Sequence, residues 1–118
     1  MDPLKRATTS RTTAKLLSAF ELLRLMDREI PGQLVSAFLY IASHNPCHKV
    51  AMEEDLGFKP ASGSRLSDWL SDYHRLGKPG LGLIKKYPDP YNMRRVILEL
   101  SPKGEALIRQ MKEALYDD

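Results

Sequence analysis

The sequence has little of what membrane and disulfide-stabilised proteins need. Its 118 residues include one cysteine, Cys47, which leaves no partner for an intramolecular disulfide and favours a reducing compartment. No apolar run approaches the roughly 18 residues of a membrane-spanning helix. The polar start, "MDPLKRATTSRTT", has no apolar segment typical of a secretory signal. We therefore expect a cytoplasmic protein with no membrane partner.

Signatures of catalysis are also missing. The glycine-rich segment "GKPGLG" at 77–82 lacks the Lys-Ser/Thr pair of a phosphate-binding loop and precedes a predicted strand rather than a helix. No Ser/His/Asp or Cys/His combination comes with a supporting motif. His44, Cys47 and His48 lie close together, but a structural zinc site needs four ligands and no second cluster follows. We expect no enzymatic activity, no metal and no cofactor.

The charge is unevenly distributed along the chain. The formal net charge is only +3, yet residues 78–103 carry six Lys/Arg against two Asp/Glu. Residues 53–77 have the opposite bias, with three Lys/Arg against five Asp/Glu. The excess of positive charge around 78–103 permits a polyanionic partner without proving one.

Apolar spacing and breaker residues predict a mainly helical fold with a small β-hairpin. Helices are expected at about 13–29, 32–44, 49–57 and 62–76, and a last one begins at Pro102 with Ser101 as its N-cap. "LIKKY" and "RVILEL" predict the two strands of a hairpin. This order is typical of a winged helix-turn-helix. We expect a flexible basic arm at 1–12 and one domain at 13–118, in which helices 13–29 and 102–118 flank a core at 30–101.

The hairpin carries a family resemblance. "GLIKKYPDP", "NMR" and "RVILELSPKG" resemble the wing of MarR-family transcriptional regulators, and "QLVSAFLYIASHNP" and "VAMEEDLGF" resemble the helices before it. Arg94 matches the family's wing-tip arginine, whereas Asn92 replaces its usual Asp and Ser101 its usual Thr. The likeness covers about 30–107. The segment between Gly57 and the first wing strand is longer than the family's.

The resemblance implies double-stranded DNA as the partner, with a recognition helix in the major groove and the wing in the minor groove. Short polar and cationic side chains supply the expected contacts, with Arg65 as the guanine reader. Each element also has an alternative interpretation. The polar side of the helix is then only a solvated face, the hairpin uses its charge to avoid pairing with other strands, and the arm is a solubilising tail. The candidate DNA contacts are Ser62, Ser64, Arg65, Ser67 and Asp68 on the helix, Lys85, Lys86, Asn92, Arg94 and Arg95 on the wing, and Lys5, Arg6 and Arg11 on the arm.

A MarR-like regulator implies a homodimer, in which the flanking helices pair and place two recognition helices about 34 Å apart. The expected function is transcriptional repression in a bacterial, archaeal or phage-infected cell. A small aromatic effector between Phe20, Tyr40 and Trp69 is a further expectation. The alternative is an adaptor or inhibitor that binds protein rather than DNA, favoured by the short flanking helices and the acidic residues near the recognition helix. The candidate dimer contacts are Leu16, Leu17, Phe20, Leu23, Leu107, Ile108, Met111 and Leu115.

Overall fold

A computed structural model describes residues 10–72 and 77–116. In these ranges five helices surround one small antiparallel sheet, which confirms the mainly helical winged-helix class. The helices are α1 (Arg11–Arg24), α2 (Gly32–Ser43), α3 (Lys49–Leu56), α4 (Pro60–Leu70) and α5 (Pro102–Tyr116), and the strands are β1 (Cys47–His48), β2 (Ile84–Asp89) and β3 (Asn92–Leu100).

Helix α1 begins and ends earlier than the apolar spacing predicts. The Ser10 hydroxyl accepts the Thr13 backbone N–H at 3.3 Å, so Ser10 acts as the N-cap and the helix starts at Arg11. At the other end the Asp27 carboxylate accepts the Glu29 backbone N–H at 3.0 Å. This local bond competes with helical hydrogen bonding and turns the chain toward α2.

The core lies between the helices and the inner face of the sheet. Helix α2 contributes three large side chains to it, because Leu34, Phe38 and Ile41 recur at helical spacing and are fully buried. Helices α1 and α5 pack against each other beside it. The buried apolar residues are Ala19, Leu23, Leu34, Ala37, Phe38, Ile41, Met52, Leu66, Leu70, Leu83, Ile84, Leu98, Leu100, Leu107 and Met111.

Helices α3 and α4 form the helix-turn-helix. Gly57 closes α3 with a left-handed φ of 69°, as its position predicts. The spacing of α3 predicts Val50, Met52 and Leu56 on its inner face; Met52 is fully buried and Leu56 partly buried, whereas Val50 is exposed. Helix α4 starts at Pro60 rather than near 62, because proline fits the first helical position.

Helix α4 also ends earlier than predicted, at Leu70. The following loop accounts for this, because the backbone N–H of Leu83 bonds the Leu70 carbonyl at 2.7 Å and that of Leu81 bonds the Trp69 carbonyl at 2.8 Å. These bonds use carbonyls that would otherwise be left without partners at the helix end. The apolar spacing of the helix predicted at 62–76 also places Tyr73 and Leu76 on its inner face, and these two lie outside the described residues.

The sheet has the strand order β1-β3-β2. Strands β2 and β3 form the predicted hairpin, with Ile84 opposite Leu100 and Tyr87 opposite Ile97. Strand β1 was not predicted, because two residues are too few to show a periodic pattern. Its pairing of Cys47 with Leu98 attaches the hairpin to the end of α2 and the start of α3.

The start of α5 is fixed as the sequence predicts. The Ser101 hydroxyl accepts the Gly104 backbone N–H at 3.0 Å and donates to the Gly82 carbonyl at 2.7 Å. Serine therefore caps the helix and holds the loop before β2 at the same time. Gly104 faces the Leu83 carbonyl so closely that an added Cβ would lie 2.0 Å from that oxygen.

Candidate nucleic-acid interface

Helix α4 presents fewer polar side chains than the sequence suggests. Ser62, Ser64 and Arg65 are half-buried and reach the surface near the N-terminal half of the helix. Ser67 was expected to contact DNA, but its exposed fraction is 0% and its hydroxyl donates to the Gly63 carbonyl at 2.7 Å. The expectation for Ser67 is therefore wrong, since a wholly buried side chain cannot reach a base edge.

Asp68 joins α4 to the wing. Its carboxylate accepts a hydrogen bond from Lys86 Nζ of β2 at 2.8 Å, and the two side chains are 36% and 22% exposed. The two opposite charges therefore offset each other, and neither is a free contact for phosphate or base. Both residues were predicted to bind DNA; in this structure they bind one another and fix the position of the wing beside α4.

Helices α3 and α4 meet at a glycine. An added Cβ on Gly63 would lie 2.0 Å from Glu53 Oε2, so only glycine permits this approach. Glu53 is buried there and forms an ion pair with Lys49 one helical turn earlier. Lys49 Nζ also donates to the Pro60 carbonyl at 3.4 Å, which ties the start of α3 to the start of α4.

The wing does not hold its four cations together. Side chains alternate across a strand, so Lys85 and Lys86 point to opposite faces of the sheet. Lys86 faces α4, whereas Lys85 is exposed on the other face and lies opposite Glu99 in the register. Arg94 and Arg95 are both exposed.

An irregularity in the hairpin brings the two arginines to one side. The register passes from Pro88 opposite Val96 to Asp89 opposite Asn92, so residues 93–95 have no partner in β2. Such a bulge frees side chains from strict alternation. Arg94 and Arg95 both line a cavity of about 330 Å³ beside the start of α3.

Lys49 and Val50 of α3 line the same cavity, and sequence reasoning missed both. The spacing of Lys49 and Glu53 could have indicated their ion pair, but no local signal indicates that α3 approaches the wing. No carboxylate among the described residues pairs with Arg94 or Arg95. Glu53 also lines the cavity but is paired with Lys49, so the two arginines give the lining a net positive charge.

The base of the wing tip is held by Asp89. One carboxylate oxygen meets His48 Nε2 at 2.8 Å, and the other accepts the Tyr91 backbone N–H at 2.8 Å. The hydrogen bond from His48, followed by that from the Tyr91 backbone, lowers the pKa of Asp89 below its ordinary value. Asn92 adds a third bond, because its side-chain oxygen accepts the Arg94 backbone N–H at 3.2 Å.

Cys47 is poorly suited to redox sensing. Burial raises the pKa of its thiol to about 11, so little reactive thiolate exists at neutral pH. Its neighbour His44 stacks on Tyr40, with ring centroids 4.3 Å apart. Across 10–72 and 77–116, no three His, Cys, Asp or Glu side chains are arranged to hold a metal ion.

The predicted dimer contacts divide into two groups. Leu23 and Leu107 are buried within the chain and do not line the exposed apolar face, so their assignment to a dimer surface is wrong, whereas Met111 is mostly buried but lines that face. Leu16 and Leu17 are 56% and 60% exposed and, with the exposed Phe20, line an apolar cavity of about 480 Å³. Ile108 and Leu115 of α5 are partly buried and complete this apolar face, together with Val35, Leu39 and Met111.

The structure bears only in part on two further predictions, the aromatic effector site and the basic arm. Of the three aromatics suggested for an effector, Phe20 alone is among the described residues around the apolar cavity. The Tyr40 hydroxyl donates instead to Asp55 at 2.6 Å. In the arm, Arg11 is exposed in the first turn of α1, whereas Lys5 and Arg6 lie outside the described residues.

In the described part of the chain, no helix has the length and apolar character needed to cross a membrane.

Comparison with known proteins identifies the fold. No family model and no curated protein matches the sequence. Among solved structures, the chain is similar to an Escherichia coli MarR variant complexed with operator DNA, at a TM-score of 0.63 and 19% identity over 92% of this chain and 70% of that one. It is similar to reduced AbfR bound to DNA, at a TM-score of 0.62 and 16% identity over 87% and 71% of the chains.

A third similar structure is the transcriptional regulator Tm0710 from Thermotoga maritima. Its TM-score is 0.67 at 20% identity, over 87% of this chain and 66% of that one. The chain therefore shares the winged-helix fold of MarR-type regulators. This confirms the resemblance carried by the hairpin at the level of fold.

Proposed function

We propose that this chain is a sequence-specific, double-stranded DNA-binding transcriptional repressor that acts as a homodimer. The observation that carries the proposal is the pair of exposed arginines, Arg94 and Arg95, on a wing that the Lys86–Asp68 bond holds beside α4. Residues 30–101 would form the DNA-binding core. The similarity to structures that contain DNA supports this assignment.

In the proposed complex, the N-terminal half of α4 enters the major groove. Arg65 has the planar donor pair that recognises guanine, and Ser62 and Ser64 can bond base edges or phosphates. The wing then lies over the adjoining minor groove, where arginine gains from the concentrated negative potential. Lys85, exposed on the outer face of the sheet, would meet a flanking phosphate rather than a base.

The acidic residues near α4 do not oppose this function as strongly as their number suggests. Glu53 is paired with Lys49 and Asp68 with Lys86, whereas Asp55 accepts a hydrogen bond from the neutral Tyr40 hydroxyl and keeps its charge. A carboxylate that has a cationic partner repels phosphate less, because the pair presents little net charge. This weakens one of the two grounds for the alternative protein-binding adaptor, the acidic flank, and leaves the other, the short flanking helices.

We assign the apolar face of α1 and α5 to a second copy of the chain. Contiguous exposed apolar surface is typical of an interface, and helices from both ends of the sequence contribute to it. A dimer of this kind would set two α4 helices about one DNA turn apart and favour an inverted-repeat operator. The same face is our reason for not proposing a small aromatic effector there.

DNA binding is tested by fluorescence anisotropy with a mixed-sequence duplex over a range of salt concentrations. The wild type should bind at low salt, and Arg94→Ala should lower affinity and reduce the slope of log affinity against log salt by about one. Arg109→Ala is the matched control, because Arg109 is an exposed arginine that belongs to α5 rather than to the hairpin. A silent titration would contradict the proposal and favour the adaptor.

The dimer is tested separately by sedimentation. Leu17→Glu should convert the dimer to a folded monomer, because it places charge on the apolar face without disturbing the core. Leu25→Glu makes the same change at a leucine that is exposed but does not line the apolar cavity, and should leave the dimer intact. Equal behaviour of the two variants would refute the assigned interface.

A further inference from the structure

The wing tip exposes two large apolar side chains. Tyr91 is 97% exposed and Met93 is 71% exposed. The rest of the hairpin behaves differently, because the apolar residues from Val96 to Leu100 are partly or fully buried. Neither side chain contributes to the core, so folding does not account for an aromatic ring and a thioether at the tip.

The tip holds these side chains in a defined place. Two hydrogen bonds hold its backbone, from Tyr91 N–H to the Asp89 side chain and from Arg94 N–H to the Asn92 side chain, and a third joins the side chains of Asp89 and His48 of β1. The turn is therefore already ordered before a partner binds. A surface that is ordered beforehand loses less conformational entropy when a partner binds.

The surroundings of the tip define the partner. Arg94 and Arg95 are exposed next to Met93, so apolar and cationic groups occupy one projection. The DNA minor groove has the complementary arrangement, with phosphates at its rims and sugars and base edges between them. Proteins that bind there frequently insert apolar side chains between base pairs while basic residues hold the backbone.

We propose that Tyr91 and Met93 form a wedge that enters the minor groove and partly unstacks a flexible pyrimidine–purine step; this inference rests on the proposed DNA-binding function. The arginines hold the phosphates on either side, and the ring and thioether contact the opened step. Because TpA steps open most easily, the wedge adds a preference for them beside the sequence that α4 reads. Specificity then extends beyond the bases contacted from the major groove.

The experiment uses the full chain and a duplex that carries 2-aminopurine at each of its TpA steps. This base fluoresces more strongly when it is unstacked, while anisotropy of an end label reports binding independently. A second duplex of equal composition has its adenines and thymines rearranged into A-tracts, which are stiff. The wild type should raise 2-aminopurine fluorescence on the TpA duplex and much less on the A-tract duplex.

The double variant Tyr91→Ser/Met93→Ser should abolish this rise and weaken binding to the TpA duplex by about tenfold, because base stacking on an aromatic ring is lost. Its salt slope should stay unchanged, since both arginines remain. Tyr116→Ser is the matched control, because Tyr116 is equally free of the core and lies at the end of α5. It should leave fluorescence and affinity as in the wild type.

Two failures are distinguishable. If the wild type binds by anisotropy without raising 2-aminopurine fluorescence, or if the double variant raises it equally, the wedge is overturned and the DNA-binding proposal stands. If anisotropy shows no binding to either duplex at low salt, the proposed function itself is wrong and the wedge falls with it.

Discussion

Replacing Gly63 with alanine tests whether the helix-turn-helix depends on the close approach of α4 to Glu53. The new Cβ would lie 2.0 Å from Glu53 Oε2, 2.5 Å from its Cγ and 2.6 Å from its Cδ. All three distances are below van der Waals contact, so the Glu53 side chain must move. Movement disturbs its ion pair with Lys49, and both side chains are largely buried.

The expected loss of stability follows from two opposing terms. Overpacking a tight contact costs about 1–3 kcal/mol, whereas alanine in a helix is favoured over glycine by about 0.5–1 kcal/mol. We expect Gly63→Ala to lower the free energy of unfolding by about 1–2 kcal/mol. With an unfolding entropy of about 2.1 cal/mol/K per residue over 118 residues, this lowers Tm by about 4–8 °C.

The assay is urea and thermal denaturation of Gly63→Ala, Gly32→Ala, Glu53→Ala and the Glu53→Ala/Gly63→Ala double variant beside the wild type. Gly32→Ala is the matched control, since Gly32 is also helical but a Cβ there would meet nothing within 4 Å. It should leave stability unchanged or slightly raised. In the Glu53→Ala background, Gly63→Ala should cost much less than in the wild type, because the clashing side chain is gone. Equal costs in both backgrounds would refute the reasoning.

Three further predictions concern single contacts. Ser67→Ala should lower the free energy of unfolding by about 0.5–1.5 kcal/mol through a lost buried hydrogen bond, while leaving DNA affinity measured by anisotropy unchanged. Because the pKa of Asp89 in the folded protein lies below its ordinary value of 3.8, the ionised carboxylate stabilises the fold. This stabilisation is complete above pH 3.8 and should be lost as the pH falls through the pKa of the folded state. Asp89→Asn should remove that pH dependence from denaturation curves and speed amide exchange at the wing tip; an unchanged pH profile would contradict it. Gly104→Ala should lower stability more than Gly63→Ala, because the new Cβ meets the backbone oxygen of Leu83, which cannot rotate away as a side chain can.

Much of the fold could be predicted from the sequence because its signals are local. Ser101 and Pro102 predict the start of α5, and Gly57 predicts the end of α3, since caps and left-handed glycines depend on neighbouring residues alone. The apolar spacing of α2 likewise predicts its buried face. The two residues of β1 carry no such signal, and their strand exists only because β3 is available to pair with them.

The candidate interface could be predicted less well, because it depends on contacts between distant segments. Composition alone treats Lys85, Lys86, Arg94 and Arg95 as equivalent cations. Strand alternation separates the two lysines, and that could have been foreseen. The bond between Lys86 and Asp68 could not, since it depends on how β2 lies against α4.

The prediction for Ser67 also failed, because the exposure of its side chain depends on packing rather than on the helical pattern. A serine on the polar stripe of an amphipathic helix is predicted to face solvent, yet its hydroxyl can satisfy itself on a backbone carbonyl one turn earlier. That bond lets serine replace a small apolar residue in the core. The polar pattern of α4 therefore overstates its accessible polar surface, and the candidate DNA contacts that remain on the helix are Ser62, Ser64 and Arg65.

The Lys86–Asp68 bond has a consequence for how the proposed interface would discriminate between DNA sequences. A cation and an anion that pair within the protein contribute little to non-specific attraction for phosphate. The pair does hold the wing at a fixed distance from α4. In the proposed complex, the contacts of α4 in the major groove and of the wing in the minor groove must therefore lie at one fixed spacing along the DNA. A duplex that fits α4 but places a stiff step under the wing tip would lose the second set of contacts. Discrimination then depends on the geometry of two linked elements rather than on the number of positive charges.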